Sequence, residues 1–231
     1  MPGTSGSRPV LLLMDFQHGV VERLGSSSVI DAADRAVKAA RAAGIPVMFV
    51  RVAFRPGYPE IAAANTTFSA ITAQAGDAYT LDHPATQVHA SLAPLDTEPV
   101  IVKRRVSAFS GSDLDVLLRA ASADTLVLAG IATSGVVLST VRQAADLDYR
   151  LVVLSDACED RDPEVHRVLT EKIFPRQALV TTTGEWIASL LSAAGAGSFG
   201  FGPPVHGISC GSGHTGTDGT FTRASLEPIA R

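Results

Sequence analysis

Cysteine is nearly absent from this 231-residue chain: Cys158 and Cys210 are its whole complement. Two thiols are too few for a disulfide framework. Lysine and arginine form no run longer than three residues, and the formal net charge is −4. That balance argues against a nucleic-acid or anionic-membrane partner. No window approaches the roughly 20 apolar residues that a bilayer span requires. Residues 1–8 are small and polar, without the basic, apolar and small-residue order of a secretory leader, so the expected compartment is cytoplasmic. What is present is an ordinary globular composition, 46% hydrophobic, and enough length for one large core in a single α/β domain.

Short apolar runs alternate with amphipathic stretches. Val10–Met14, 46–52, 99–102, 125–130, 150–154 and 178–181 read as strands. Stretches 30–43, 113–121, 135–146, 164–174 and 185–191 read as helices, the first closing on Gly44 as a glycine stop. Strands separated by helices imply βαβ units and a mainly parallel sheet. Continuous apolar runs without polar alternation fit strands covered on both faces. The expectation is a three-layer α-β-α domain with a six-stranded sheet over residues 9–191. Residues 53–98 show little periodicity and read as a functional excursion, either a lid or a subunit contact. Residues 192–231 form a Gly/Ser-rich tail, expected to be mobile or packed on a neighbouring subunit.

Ligands of open parallel sheets bind beyond the carboxyl ends of the strands. Three features fall there: Asp15 after the first strand, Lys103 after the third, and the turn Gly130-Ile131-Ala132-Thr133-Ser134-Gly135-Val136 after the fourth. Each has an ordinary explanation. Asp15 could cap the next helix, Lys103 could head a solvated cluster with Arg104 and Arg105, and the turn could be plain strand-to-helix geometry. Alternation along an extended chain favours an inward Lys103 with outward arginines. All three on one rim favour a site.

These residues resemble the isochorismatase-like hydrolases, which include nicotinamidases, carbamoylsarcosine amidases and isochorismatases. Leu11–Gln17 is similar to the family's first strand and aspartate. Val100–Lys103 followed by Ser107-Ala108-Phe109 is similar to its lysine strand. Gly130–Val136 is similar to its nucleophile turn, and Val152–Ala157 to the strand that follows. The resemblance implies a six-stranded parallel sheet, a homo-oligomer (dimer or tetramer) and a cis peptide at Ile131–Ala132. It also implies Asp15 as acid or base, Lys103 as its cation, and the Ala132 and Val136 amides as an oxyanion cradle. It departs at Val136, where amidase members carry the nucleophilic cysteine; neither Cys158 nor Cys210 obviously replaces it. In the isochorismatase branch an aspartate protonates a vinyl ether and no thiol is needed. Many nicotinamidases hold zinc through an Asp-x-His pair after the second strand. Here that place reads Arg51-Val52-Ala53-Phe54-Arg55, and His83 and His89, six apart in a loop, lack a close acidic partner pattern, so neither a metal nor another cofactor is expected.

Further candidates for the substrate pocket are Phe16, Gln17, Arg51, Phe54, Tyr58, Phe109 and Thr133. Arginines suit anionic groups, while single aromatics more often belong to a core. His166 reads as surface and Cys158 as a small buried filler. The expected function is cysteine-independent hydrolysis of a small molecule by Asp15, of the vinyl ether kind. Two alternatives stay open: a non-catalytic relative that keeps the fold for ligand binding or assembly, and an amidase that uses Asp15-activated water.

Overall fold

The computed structural model describes residues 7–25 and 27–196. The expected tail lies outside these residues from 197 onward, as does Cys210, and the last helix carries the domain to Ala196. The apolar runs become β1 (Pro9–Met14), β2 (Val47–Val52), β3 (Val100–Lys103), β4 (Thr125–Ile131), β5 (Arg150–Glu159) and β6 (Leu179–Thr181). They form one six-stranded sheet in the order β3-β2-β1-β4-β5-β6, with every pairing parallel. Helices α1 (His18–Leu24), α2 (Ser28–Ala42), α3 (Thr66–Ala75), α4 (Leu114–Ala120), α5 (Leu138–Asp146), α6 (Pro163–Val168) and α7 (Thr183–Ala196) complete the domain.

The period of two along β1 explains the three layers. Leu11 and Leu13 face one apolar layer, with Val37 of α2 and Trp186 of α7. Val10, Leu12 and Met14 face the other, with Leu118 of α4 and Val141 of α5. Each strand is therefore covered twice, so its sequence shows no polar alternation. Full burial of such a side chain stabilises by about 1.5–3 kcal/mol. Helix α2 presents Ile30, Ala33, Val37 and Ala40 to the sheet, and Gly44 follows it at φ 68°, a backbone glycine adopts freely.

Three parts differ from the sequence expectation. The short α1 ends at Gly25 in the left-handed region and was hidden by its length. Helix α3 lies inside the 53–98 excursion, where Asn65 caps it by accepting from the Phe68 N–H at 3.1 Å. Strand β5 continues past Leu154 to Glu159, so Cys158 sits within the sheet opposite Gly130 rather than beyond the strand.

The excursion is attached to the sheet. Phe54 bridges Thr80 in parallel fashion, and Gln17 bridges Val88 in antiparallel fashion. Phe54 and Phe68 stack edge to face with centroids 5.3 Å apart, and with Val52 they form a third apolar cluster. No helix among the described residues is long and apolar enough to cross a membrane.

Candidate active site

Strand order brings the rim residues together. Because β3 and β1 flank β2, Lys103 at the end of β3 can reach across the end of β2 to Asp15, the residue after β1. The Lys103 Nζ lies 2.9 Å from Asp15 Oδ2, and both side chains are buried, 2% and 10% exposed. Lys103 also donates to the Arg105 carbonyl at 3.0 Å. Asp15 Oδ1 is buried, with no hydrogen-bond partner among the described residues. Burial pushes the Asp15 carboxyl above its ordinary range, and Lys103 opposes that rise. Asp15 is held at φ 59° while its N–H donates to the Val50 carbonyl at 2.8 Å.

The turn after β4 supplies the facing wall. The Ile131–Ala132 peptide is cis, as the resemblance implies. One widened helical turn follows, Thr133–Val137, in which the Val137 N–H donates to the Ala132 carbonyl at 3.4 Å. Such turns recur at functional sites. A Cβ on Gly130 would lie 2.9 Å from the Met14 carbonyl oxygen and 3.2 Å from Val137 Cγ2, so glycine lets the turn pack close to β1. Two side chains brace the turn from the chain after β5. Asp160 accepts from the Ser134 N–H at 2.7 Å, and His166 Nδ1 lies 2.8 Å from Thr133 Oγ1.

A cavity of about 640 Å³ opens over this rim, lined by Asp15, Val52, Lys103, Ile131, Ala132, Gly135 and Val136. Its outer wall comes from the excursion through Phe68, Ile71, Gln74 and Tyr79, and from α1 through Val20 and Arg23. Arg161 completes the lining; it is exposed and makes no hydrogen bond or ion pair among the described residues. A second cavity of about 450 Å³ is lined by Asp31, Asp156, Glu159, Asp160 and His166 but reaches neither Asp15 nor Lys103. The chemistry-bearing pair therefore belongs to the larger one.

Of the sequence-named residues, Asp15, Lys103, Ala132 and Val136 line this cavity together. The other seven do not line it, each for a visible reason. Gln17 spends its amide on backbone, donating to the Val52 and Thr86 carbonyls and accepting from the Val52 N–H, all at 2.9 Å. Arg51 donates to the Leu81 carbonyl at 3.0 Å and to Thr86, fastening the excursion. Phe16 and Phe109 are core residues, and Phe54 is fully buried in the third cluster. Tyr58 donates to the Gly76 carbonyl at 2.5 Å. Thr133 is fully buried against His166. That contact also corrects the surface reading of His166, a half-buried residue whose pKa is lowered by burial. Arg104 and Arg105 do not point outward either, because both bond Glu60 of the excursion. His83 and His89 accept backbone N–H bonds from Ala85 and Ser91. Cys158 is buried, with its thiol pushed up to about 12 by burial.

The sequence missed Arg23, Tyr79 and Arg161, which come from three distant segments with no common spacing. Phe68, Ile71 and Ala75 were findable. They repeat at helical spacing behind Asn65, a favoured cap.

A parallel sheet carrying an Asp–Lys pair and a cis-peptide turn on one rim is the architecture of a hydrolase family, and the chain belongs to it: the Isochorismatase domain family profile matches residues 9–185. Among relatives, the isochorismatase family protein YecD of Escherichia coli O157:H7 is 33% identical over 184 residues, covering 78% of this chain and 95% of that protein. The N-carbamoylsarcosine amidase of an Arthrobacter species is 29% identical over 168 residues, covering 69% of this chain and 62% of that enzyme. A cysteine hydrolase from Pseudomonas syringae pv. phaseolicola 1448A superposes with a TM-score of 0.73 at 26% identity, covering 80% of this chain and 93% of that one.

Proposed function

We propose that this chain hydrolyses a small molecule without a cysteine nucleophile, using Asp15 as a general acid and then a base. One observation carries the reading: Asp15 Oδ1 is buried at the cavity wall with no partner among the described residues, while the nearby turn presents the isopropyl group of Val136. An acid that protonates carbon must stay neutral, which burial favours. Here burial is the leading influence on Asp15 and raises its pKa.

In the proposed reaction Asp15 gives its proton to the terminal carbon of a vinyl ether. Water adds to the resulting oxocarbenium carbon, and the Asp15 carboxylate takes a proton from that water. The hemiketal then splits into a ketone and an alcohol. Lys103 stabilises the carboxylate while it is charged. Cytoplasmic residence and a dimeric or tetrameric state belong to the same proposal.

A second reading is hydrolysis of an amide by Asp15-activated water, favoured by the relative named N-carbamoylsarcosine amidase. It forgoes the covalent intermediate that divides a hard step in two. The test offers α-methoxyacrylate and N-carbamoylglycine to the purified chain, with products read by NMR. Vinyl ether turnover that survives thiol alkylation and vanishes in Asp15→Asn is the expected result. Turnover of the carbamoyl compound alone selects the amidase reading. Activity lost on alkylation, or no turnover of either compound, refutes the proposal.

A further inference from the structure

The wall facing Asp15 carries a second polar group. Tyr79 lines the cavity from the excursion, and Arg23 lines it from α1. The Tyr79 backbone is fixed to the end of β2: its carbonyl accepts from the Phe54 N–H at 2.9 Å, and the Leu81 N–H returns to the Phe54 carbonyl at 2.9 Å. Its own N–H donates to the Tyr58 hydroxyl at 3.3 Å. The ring is gripped as well. Arg23 Nη2 donates to the Tyr79 hydroxyl at 2.7 Å, and the guanidinium carbon lies 5.5 Å from the ring centroid. The hydroxyl oxygen is thus an acceptor for Arg23, while its own proton has no acceptor among the described residues.

A phenol held by a cation on the cavity wall, its proton claimed by no described residue, can donate that proton to a ligand atom. We infer that Tyr79 is a further catalytic residue of this site: it donates to the leaving oxygen or nitrogen of the substrate, and Arg23 is its positioning residue. The inference rests on the hydrolase reading of the cavity. When the hemiketal splits, the carbon–oxygen bond breaks with its electron pair going to the leaving oxygen, which takes the Tyr79 proton. The hemiketal hydroxyl becomes the ketone carbonyl, and its proton returns to the phenolate through water. Arg23 stabilises the phenolate in between. The substrate class is a small molecule with an ether or amide leaving group, bound between two proton-bearing side chains. Burial raises the Tyr79 pKa, Arg23 lowers it, and the charge of Asp15 raises it, as expected if the phenol faces both groups.

Two measurements test the role. The first needs no substrate. In ultraviolet titration of the full chain, the phenolate step that disappears in Tyr79→Phe belongs to Tyr79. Removing an anion stabilises phenolate and removing a cation destabilises it. The step is therefore expected at lower pH in Asp15→Asn and at higher pH in Arg23→Met. Failure of either shift overturns the geometry, whatever the activity. The second is kinetic. With α-methoxyacrylate, Tyr79→Phe is expected to lower kcat about tenfold or more with little change in KM or melting temperature. Wild-type kcat in Tyr79→Phe overturns the role while leaving Asp15 untouched. If the wild type turns over nothing, the hydrolase reading fails by itself, and Tyr79 is judged by calorimetric binding of α-methoxyacrylate. Weaker binding in Tyr79→Phe then supports the contact, and equal binding overturns it.

Discussion

Replacing Lys103 with methionine isolates what the buried cation does for Asp15. The two charges are 2.9 Å apart with almost no exposure. At an effective dielectric of about 20, that separation is worth about 6 kcal/mol of attraction, offset in part by the cost of dehydrating both groups. Removing one partner of such a pair destabilises by about 3–5 kcal/mol, because the other is left charged in the interior. In a domain of this size that lowers the melting temperature by roughly 6–20 °C. The loss must depend on pH, and its sign follows from burial. Asp15 has a raised pKa in the folded state. The stability contributed by its protonation is fully present below the unfolded value and is lost as pH rises through the folded value. Lys103 holds the folded value down, so Lys103→Met raises it further. The deficit should be largest above the raised folded value and shrink as pH falls toward the ordinary carboxylate range, where a neutral carboxyl needs no cation. Denaturant unfolding of wild type and Lys103→Met at about pH 8 and about pH 5 measures the difference. Asp15→Asn/Lys103→Met, with no buried charge, should recover part of the loss. An equal deficit at both pH values would refute the argument, since Lys103 would then matter for its packing and not for its charge.

Two other substitutions probe the rim. Val136→Cys places a thiol on the cavity wall that already holds Asp15 and Lys103, so iodoacetamide should label position 136 far faster than Cys158; peptide mass spectrometry reads the ratio, and equal labelling would deny that residue 136 faces the cavity. Gln17→Leu removes the glutamine partner of the Val52 N–H and the Val52 carbonyl, a loss of about 1–3 kcal/mol for each group left unsatisfied, while the Thr86 carbonyl keeps its bond from Arg51. It should sharply increase hydrogen exchange at Val52 and proteolysis within residues 53–98, and unchanged exchange there would remove Gln17 as the anchor.

The sheet was legible because a doubly covered parallel strand must be apolar along its length, and β1 and β4 are. Asp15 and Lys103 were legible for the same reason, each being the first charged residue where an apolar run stops. Strand β5 was read short because Ser155 and Asp156 interrupt its pattern. Asp156 is drawn there by α7, where it accepts from the Thr183 N–H at 2.6 Å. The aromatic candidates were drawn inward because an isolated Phe gains more from a core than from a wet wall. Gln17 and Arg51 were recognised as special residues, and the structure gives them backbone partners. Their groups meet backbone, and nothing in a local sequence distinguishes a carbonyl from a ligand. Tyr79 and Arg23 reach each other only through the fold.

The left-handed backbone at Asp15 restricts the alphabet of that position. For an L-residue other than glycine this conformation costs about 1–2 kcal/mol, and asparagine and aspartate bear it best because their short polar side chains bond locally. The fold thus chooses the acid before the chemistry does. Glutamate would supply the same functional group, but its longer chain is disfavoured on this backbone and would lose the reach that sets Oδ2 against Lys103. Asparagine keeps the backbone and the shape while removing the titratable proton. Position 15 therefore admits a clean on-or-off comparison, a property conferred by a single dihedral angle.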